Sequence, residues 1–370
     1  MSAEERCDEA RCVKMSRAAL AFGVLFGAML VAFIAVVTTW AVLATQDQKS
    51  HWSECPRDQH LDGQALLLSQ NPGQLEFNPS CLRVAKGAPP VDMYVWAFRV
   101  NPYVGLVRSL SRTGVNLYVE PVSAADPTSL HARELVLALS VTPAEDIRLF
   151  SYSAEHGLLG IACRREGLKG FVPCVIQFAP DLRSVLRVEN LRFDPDVMGR
   201  VCKNWVIFSS PKHGLCVHTD SFPLFRVFEC VRDGASFSIG KAVVAHDALA
   251  FFGQAYPNIR GTSDWVPVNL SPDQQLAGTV PAENPGFLVL LHVANRAKKI
   301  YRHLFLLLDD DLQLVAKTEL LCLCRGKCSK IQFATSLQAR GDHFLASFGD
   351  CDTSSLTNRF HWKKLQALLH

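Results

Sequence analysis

The sequence lacks any run of Lys and Arg long enough to form a nucleic-acid-binding surface. Its 38 basic residues are nearly balanced by 35 acidic ones, which leaves a net charge of +3. So small a charge argues against proteins that bind the phosphate backbone through a strongly basic surface, and we expect no nucleic-acid partner. The sequence also lacks long stretches in which apolar residues recur every three or four positions, and this absence excludes a helical solenoid.

One segment lacks charge altogether. Residues 18–45 read AALAFGVLFGAMLVAFIAVVTTWAVLAT, and a helix of this length spans the hydrocarbon core of a bilayer. The basic side of such an anchor normally stays in the cytosol. The basic residues before the segment are Arg6, Arg11, Lys14 and Arg17, whereas only Lys49 and Arg57 follow within the same distance.

This asymmetry predicts a single-pass type II membrane protein with a signal-anchor, resident in the Golgi or the ER. The predicted organisation is a cytosolic tail (1–17), a transmembrane anchor (18–45), a luminal stem (46–75) and a luminal domain (76–370). A cleaved signal peptide is the alternative, although its apolar core is usually about half as long. Ala19, Gly23 and Gly27 lie on one face of the predicted helix and would allow close approach in a homodimer.

Cysteine is abundant: the chain has 13. Cys7 and Cys12 precede the anchor, so the other eleven would lie in an oxidising lumen, where disulfides are expected. Three of them crowd into LCLCRGKC (321–328). Zinc is the alternative for this cluster, but no histidine follows at the spacing of a zinc finger, so we expect disulfides and no metal.

After residue 75 the chain consists of short apolar runs separated by turn residues, such as GLLGIACR (157–164) and GFLVLLHV (286–293). This pattern predicts an all-β domain. Residues 171–191 and 300–320 both read as a strand, an acidic turn ending in Asp-Leu, and a second strand. Repeated four-stranded units are typical of a β-propeller, and the length of the luminal part predicts five blades.

Polar peptides lie where the predicted blades begin. In a propeller the inner strands start around one central channel, so these residues should converge there. Carboxylates can exchange a proton with a sugar hydroxyl, and arginine and lysine bind phosphate oxygens. The peptides therefore predict a funnel for a polyhydroxylated substrate that carries phosphate. They are Asn78-Pro79-Ser80, Phe98-Arg99-Val100-Asn101, Glu145-Asp146-Ile147-Arg148, Lys203-Asn204-Trp205, Arg260-Gly261-Thr262-Ser263, His292 and Tyr301-Arg302-His303.

Taken in order, these peptides resemble the five-bladed propeller superfamily of β-mannoside phosphorylases and related β-1,2-mannosyltransferases. That group has Asn-Pro-Ser, a peptide with Arg and Asn, Glu-Asp-Pro-Arg, Lys-Asn-Trp, then Arg-Gly-Gly-Ser and a strand ending in His. The resemblance covers roughly residues 75–360. This chain departs from the pattern at Ile147, which stands in place of Pro, and at Thr262 and Asp264, which replace Gly and Gln.

The resemblance implies that Asp146 is the general acid/base, with Glu145 beside it in the catalytic pair. It also implies a set of residues that bind the substrate and its phosphate: Asn78, Arg99, Asn101, Arg148, Lys203, Asn204, Arg260, His292 and Tyr301. A purely structural interpretation remains for several of them. Glu145 and Arg148 could pair across a turn, and His292 could be a satisfied polar group at the end of a strand.

Together with the anchor, the resemblance favours a luminal glycosyltransferase that moves a hexosyl unit, mannosyl by this interpretation, from a donor such as GDP-mannose to a glycan acceptor. No cofactor is expected. The alternatives are a glycoside phosphorylase or hydrolase of the same fold and a non-catalytic glycan-binding propeller. Asp309-Asp310-Asp311 could be a metal-binding motif of sugar-nucleotide transferases, but its place in the repeat predicts a hairpin turn.

Overall fold

The computed structural model divides into two compact units, residues 1–54 and 55–370. Within several strands it describes the backbone alone. The described residues are 29, 31, 64–67, 74–86, 91–104, 107–108, 114–121, 134–139, 144–151, 157–166, 170–194, 204–234, 236–254, 256, 258–261, 263–270, 285–295, 300–323, 332–350 and 354–370.

The predicted anchor lies outside the described residues except at Met29 and Val31. Both are helical and exposed. In the part of the chain that the structure describes, no helix is both long enough and apolar enough to cross a membrane. The transmembrane segment, the homodimer through it and the Golgi location therefore stay predictions.

The second unit is mainly β, and strands make up most of the residues that the structure describes. The strands of its first two sheets pair antiparallel throughout. The first sheet contains β2 (Gln74–Lys86), β3 (Val91–Val104), β4 (Val107–Arg108), β5 (Gly114–Pro121) and β6 (Glu134–Leu139). The second contains β7 (Ala144–Ser151), β8 (Leu158–Glu166), β9 (Gly170–Phe178) and β10 (Val185–Asn190).

The remaining sheets are also antiparallel. The third contains β11 (Val206–Ser210), β12 (Gly214–Asp220), β13 (Leu224–Asp233) and β14 (Ser236–Asp247). The fourth contains β15 (Ile259–Arg260), β16 (Val266–Asn269), β17 (Pro285–Asn295), β18 (Ile300–Asp309) and β19 (Leu314–Lys317). The fifth contains β20 (Gln332–Arg340), β21 (His343–Asp350), β22 (Ser354–His361) and β1 (Gln64–Leu67).

Two short helices complete the described elements. Helix α1 (Ala248–Phe252) begins after Asp247, whose side chain accepts a hydrogen bond from the backbone N–H of Ala250, and it ends at Gly253 with φ 69°. Helix α2 (Trp362–Gln366) follows β22 directly, and the imidazole of His361 caps it. Both caps satisfy backbone donors that a helix start leaves unpaired.

The arrangement is propeller-like, and strands of neighbouring sheets contact one another. Strand β2 contacts β7, β7 contacts β11, β16 contacts β20, and β20 returns to β2. Strand β1, which lies in the segment predicted as a stem, pairs with β22. The first and last strands of the unit thus belong to one sheet.

The predicted count of five blades is corrected to four, although the strands pair into five sheets. Two sheets depart from the regular four-stranded meander. In the first, the long strand β3 folds back on β4, and in the fourth, the two short strands β15 and β16 share one neighbour, β17. These are the two irregular sheets, and the number of blades is one lower than the number of sheets.

Apolar side chains fill the spaces between neighbouring sheets. One cluster joins Val95 and Leu117 of the first sheet to Leu149 and Ile176 of the second. A second cluster lies between the second and third sheets. A third, which includes Phe305, lies between the fourth and fifth. Face-to-face packing explains why β17 is buried along nearly its whole length and reads as a continuous apolar run.

The two repeated units are confirmed as equivalent hairpins. In β9–β10 the N–H of Leu182 donates to the carbonyl of Ala179, and in β18–β19 the N–H of Leu312 donates to that of Asp309. Both leucines are buried and have positive φ, 64° and 62°. The three aspartates before Leu312 thus form a hairpin turn, as expected, and Asp311 pairs with Lys212.

The expectation of disulfides is confirmed at Cys322, which is disulfide-bonded, and it does not hold for two other described cysteines. Cys216 and Cys230 are buried free thiols. They lie on neighbouring strands, but Cys216 is opposite Glu229. Burial raises the pKa of each thiol to about 12, so both remain protonated and unreactive near neutral pH.

Candidate functional site

The Glu-Asp-x-Arg peptide lies on β7 at a β-bulge, where the pairing register with β8 shifts between Glu145 and Arg148. Asp146 has φ 53°, a left-handed conformation that is uncommon for a residue with a side chain. A bulge redirects the side chains of its strand. The backbone therefore holds Asp146, which is partly exposed, apart from the buried residues that follow it.

Ile147, which stands at the position of Pro in the motif pattern, is fully buried. Its Cδ1 lies so close to Gly160 that a Cβ there would be 2.9 Å away. Proline at position 147 would lack this Cδ1 atom, and a residue larger than glycine at position 160 would meet the side chain of Ile147. The side chain at position 147 is thus part of the core between β7 and β8.

Arg148 is almost completely buried, with 1% of its surface exposed. Its Nη1 donates to the carbonyl of Thr335 at 3.0 Å, and its guanidinium lies 5.3 Å from the ring centroid of Phe333. Its Nε and Nη2 have no hydrogen-bond partner among the described residues. Burial lowers the pKa of Arg148, while the nearby charges of Asp146 and Asp264 act in the opposite direction.

Asp264 is a carboxyl group that the sequence interpretation did not place in the site. It was noted only as a departure from the family pattern. The structure buries it, and its Oδ2 accepts from Ser336 Oγ at 2.8 Å and from Gln338 Nε2 at 3.1 Å. Burial raises its pKa to about 7, although these hydrogen bonds and the charge of Arg148 oppose the shift.

The hydrogen bonds around Ser336 are consistent with a proton on Asp264. The hydroxyl of Ser336 has a single proton, yet it lies within hydrogen-bond distance of both Asp264 Oδ2 and the carbonyl of Cys81, which is 3.0 Å away. When Asp264 is protonated it can donate to Ser336, which is then free to donate to Cys81. The neutral acid thus satisfies all three groups.

We expect Asp264→Asn to change how stability depends on pH. The folded state keeps a proton on Asp264 that the unfolded state releases near pH 4, so the wild type should lose stability as pH rises from about 4 to about 7. Asparagine cannot ionise, and the variant should lack this loss, on the order of 2–4 kcal/mol. Urea unfolding at pH 5 and pH 8 measures it. The exposed Asp233→Asn variant should follow the wild type, and parallel curves for Asp264→Asn would contradict the prediction.

His292 lies on β17 directly opposite His303 of β18 and paired on its other side with Arg260 of β15. It is 1% exposed, and its Nδ1 has no hydrogen-bond partner among the described residues. Burial, with the nearby charges of His303 and Arg148, lowers its pKa well below the ordinary value. His292 is therefore a neutral imidazole at physiological pH.

Phe333 of β20 joins these residues into one cluster. Its ring centroid is 4.8 Å from that of His292 and 6.5 Å from that of Tyr301. The guanidinium of Arg148 lies over the same ring. His292 and Tyr301 are themselves 5.5 Å apart. Among the predicted residues, Arg148, His292 and Tyr301 are thus brought together by a strand that the sequence interpretation did not single out.

The Lys-Asn-Trp and Arg-Gly peptides also meet. A Cβ on Gly261 would lie 3.2 Å from the ring of His218 and 3.3 Å from the carbonyl of Asn204. Glycine at this position therefore allows the two segments of backbone to approach closely. Asn204 is buried and has φ 64°. Arg260, the residue before Gly261, is partly buried, and the same loop continues to Asp264.

The remaining predicted residues are placed by their backbone or not at all. Lys203 lies outside the described residues. For the others the strand is described and the side chain is not: Asn78 at a bulge of β2, Arg99 and Asn101 on β3, and Glu145 on β7. Hydrogen bonds nevertheless tie the Asn-Pro-Ser peptide to the cluster, because Ser80 Oγ accepts from the N–H of Leu149 at 2.9 Å and Thr335 donates to the carbonyl of Pro79.

The described part of the cluster therefore combines a buried arginine, two carboxyl groups of different environment, and a neutral histidine. Arginine donors without a partner are suited to binding an anion, and a carboxyl group whose pKa is about 7 can hold or release a proton near neutral pH. Strand β20 supplies Phe333, Thr335, Ser336 and Gln338 to hold them. No signal in the sequence distinguished this strand from the other apolar runs.

No protein-family model matches the sequence, and no curated protein matches it significantly. Solved structures do resemble the chain. A mannose phosphorylase from Leishmania mexicana, in complex with phosphate, has 12% identity and a TM-score of 0.46 over 82% of this chain and 89% of its own. A β-1,2-mannobiose phosphorylase from Listeria innocua has 12% identity and a TM-score of 0.45, over 81% and 94%. A glycosyl hydrolase from Bacteroides ovatus has 11% identity and a TM-score of 0.46, over 86% and 95%. Identities this low leave substrate and reaction to be argued from the chain's own residues.

Proposed function

We propose that this chain is a carbohydrate-active enzyme that cleaves a β-mannoside with inorganic phosphate at the cluster around Arg148. One observation carries the proposal: Arg148 is 1% exposed and keeps two donor atoms without a hydrogen-bond partner among the described residues, beside Asp146 and Asp264. An ionised group in such surroundings is costly unless a counter-charge satisfies it. A phosphate oxyanion would supply that counter-charge through bidentate hydrogen bonds.

In the proposed reaction a phosphate oxygen attacks the anomeric carbon as the glycosidic C–O bond breaks. The leaving oxygen takes a proton from a carboxylic acid, and Asp146 has this role because it is the partly exposed carboxyl group on the bulge. Burial raises the pKa of Asp264 to about 7, so this carboxyl group carries a proton below that pH and then does not cancel the positive charge of Arg148. His292 is neutral and can donate or accept one hydrogen bond. The reaction needs no cofactor.

A luminal glycosyltransferase is the second candidate, and the uncharged segment 18–45 with its preceding basic residues is the observation that favours it. A Golgi or ER enzyme would meet imported sugar nucleotides such as GDP-mannose, whose diphosphate could bind the same arginine. The type II membrane placement and the glycan acceptor belong to this proposal. A hydrolase differs from the phosphorylase only in using water.

A single set of incubations distinguishes these reactions. We expect the purified chain to convert β-mannosides such as β-1,2-mannobiose to mannose 1-phosphate when inorganic phosphate is present, measured by anion-exchange chromatography. Release of mannose alone, equally fast without phosphate, would identify a hydrolase. Transfer from GDP-mannose to a mannoside, without phosphorolysis, would support the transferase. If none of these donors reacts, a non-catalytic glycan-binding role takes their place, and glycan-array binding would test it.

A further inference from the structure

A second cluster of polar side chains lies at the end of the fifth sheet. Asp342 is in the turn between β20 and β21, His343 begins β21, and His361 ends β22. His343 and His361 are directly opposite each other across the two strands, with ring centroids 4.9 Å apart. The register of the hairpin therefore fixes both imidazoles beside the same turn.

The carboxylate of Asp342 contacts both imidazoles. Its Oδ2 lies 2.8 Å from His361 Nε2, and its Oδ1 contacts His343 Nδ1. One donor atom from each of the three residues lies within 4.8 Å of the others. The side chains are 53%, 25% and 38% exposed for Asp342, His343 and His361, so water can reach the space between them.

We propose that Asp342, His343 and His361 form a binding site for a divalent transition-metal ion of the zinc class. Two imidazole nitrogens and one carboxylate oxygen are ligands that zinc prefers. Tetrahedral ligands at zinc distances lie about 3.3 Å from one another, and the separations in this cluster bracket that value. Partial exposure leaves the fourth position to water. The ion would join the turn before β21 to the start of α2.

Metal binding would replace the direct contacts between Asp342 and the imidazoles, and it would also affect the cap of α2. His361 Nδ1 accepts from the backbone N–H of Lys363 at 3.1 Å and so caps α2. Coordination through Nε2 moves the imidazole proton to Nδ1, which can then no longer accept from Lys363. Metal binding therefore competes with the cap. The guanidinium of Arg359, with Nη2 3.4 Å from His343 Nδ1, also weakens binding through its positive charge.

Titration of the full chain with ZnCl₂, followed by calorimetry, tests the site. We expect the wild type to bind one more ion than His361→Asn does, or to bind it at least about tenfold more tightly. Asparagine is a good helix cap, so this variant keeps α2 while removing the imidazole. His343→Gln should lose the same ion. The matched control is His370→Gln, which changes a half-exposed histidine that pairs with Glu319 outside the cluster and should leave binding unchanged.

Cobalt separates this site from cysteine sites elsewhere in the chain. Co²⁺ bound by nitrogen and oxygen should give weak visible absorption that is lost in His361→Asn, without the strong near-ultraviolet band of thiolate ligands. Mg²⁺, which prefers oxygen ligands in octahedral geometry, should not compete. The proposal is overturned if the wild type and His361→Asn bind the same number of zinc ions with equal affinity, or if His370→Gln abolishes binding.

Discussion

Replacing Arg148 with methionine should lower turnover by about 10²–10³-fold, the usual cost of removing one group that stabilises developing negative charge. Methionine has a similar length and no charge, so the packing against Phe333 is largely retained while the donors are lost. Thermal stability should stay level or rise, because the wild type buries an ion with two donors that lack a partner among the described residues. The measurements are the rate of mannoside phosphorolysis and the melting temperature.

A binding measurement makes this test independent of turnover. Inorganic phosphate should raise the melting temperature of the wild type and not that of Arg148→Met, since a ligand stabilises only the state that binds it. Arg148→Lys should recover little of the turnover or of the stabilisation by phosphate, because a buried lysine tends to lose its proton and lacks the planar fork of arginine. Arg187→Met is the matched control, since Arg187 pairs with Glu189 at the surface of β10. Full turnover with a large loss of stability would mean that Arg148 is a structural ion-pair residue.

Replacing Asp146 with asparagine should reduce turnover by about 10²–10⁴-fold, the contribution of a positioned general acid or base. The backbone should not change, because asparagine adopts the left-handed conformation of position 146 nearly as readily as aspartate does. Phosphate affinity should stay within a few-fold or increase, since a negative charge next to Arg148 is removed.

Two further variants test whether the loss of turnover is specific to Asp146. Asp181→Asn is the control for the change from aspartate to asparagine. Asp181 lies in the β9–β10 turn, before Leu182 with its positive φ, and its side chain accepts a hydrogen bond from the N–H of Arg183. Asparagine can make the same bond, so activity should be unaffected. Asp264→Asn separates the two carboxyl groups of the site. If Asp264→Asn abolished turnover while Asp146→Asn remained fully active, Asp264 would be the proton donor and the role given to Asp146 would be wrong.

The apolar runs and the turn residues between them were enough to predict the all-β class and the equivalence of the two Asp-Leu hairpins. Both follow from local rules: strands of this kind have apolar inward positions, and the turns need particular residues. The count of blades was wrong because it depends on how long strands bend and how short strands share partners. The residues of β3 do not predict that it folds back on β4, and those of β15 and β16 do not predict that both pair with β17.

The ordered peptides also named residues that lie close together in the structure, and their role in a site stays a prediction. Arg148, His292 and Tyr301 do converge, and Asn204 meets the Arg-Gly loop. Asp264 could not be predicted as a titrating group, because its raised pKa comes from burial against β20, more than seventy residues further along the chain. A departure from a family pattern is equally compatible with loss of function and with altered chemistry. Only the residues that contact the substituted residue distinguish loss of function from altered chemistry.

The pairing of β1 with β22 has a consequence for biosynthesis. Residues 64–67 leave the ribosome about 290 residues before their partners at 356–359 are made. Synthesis proceeds at about 5–20 residues per second, so this edge of the fifth sheet stays without its partner for roughly 15–60 s. An uncovered strand edge is a template for pairing with other chains. Chains that terminate before β22 would leave β1 without its partner for good, and such fragments should depend on chaperones or be degraded.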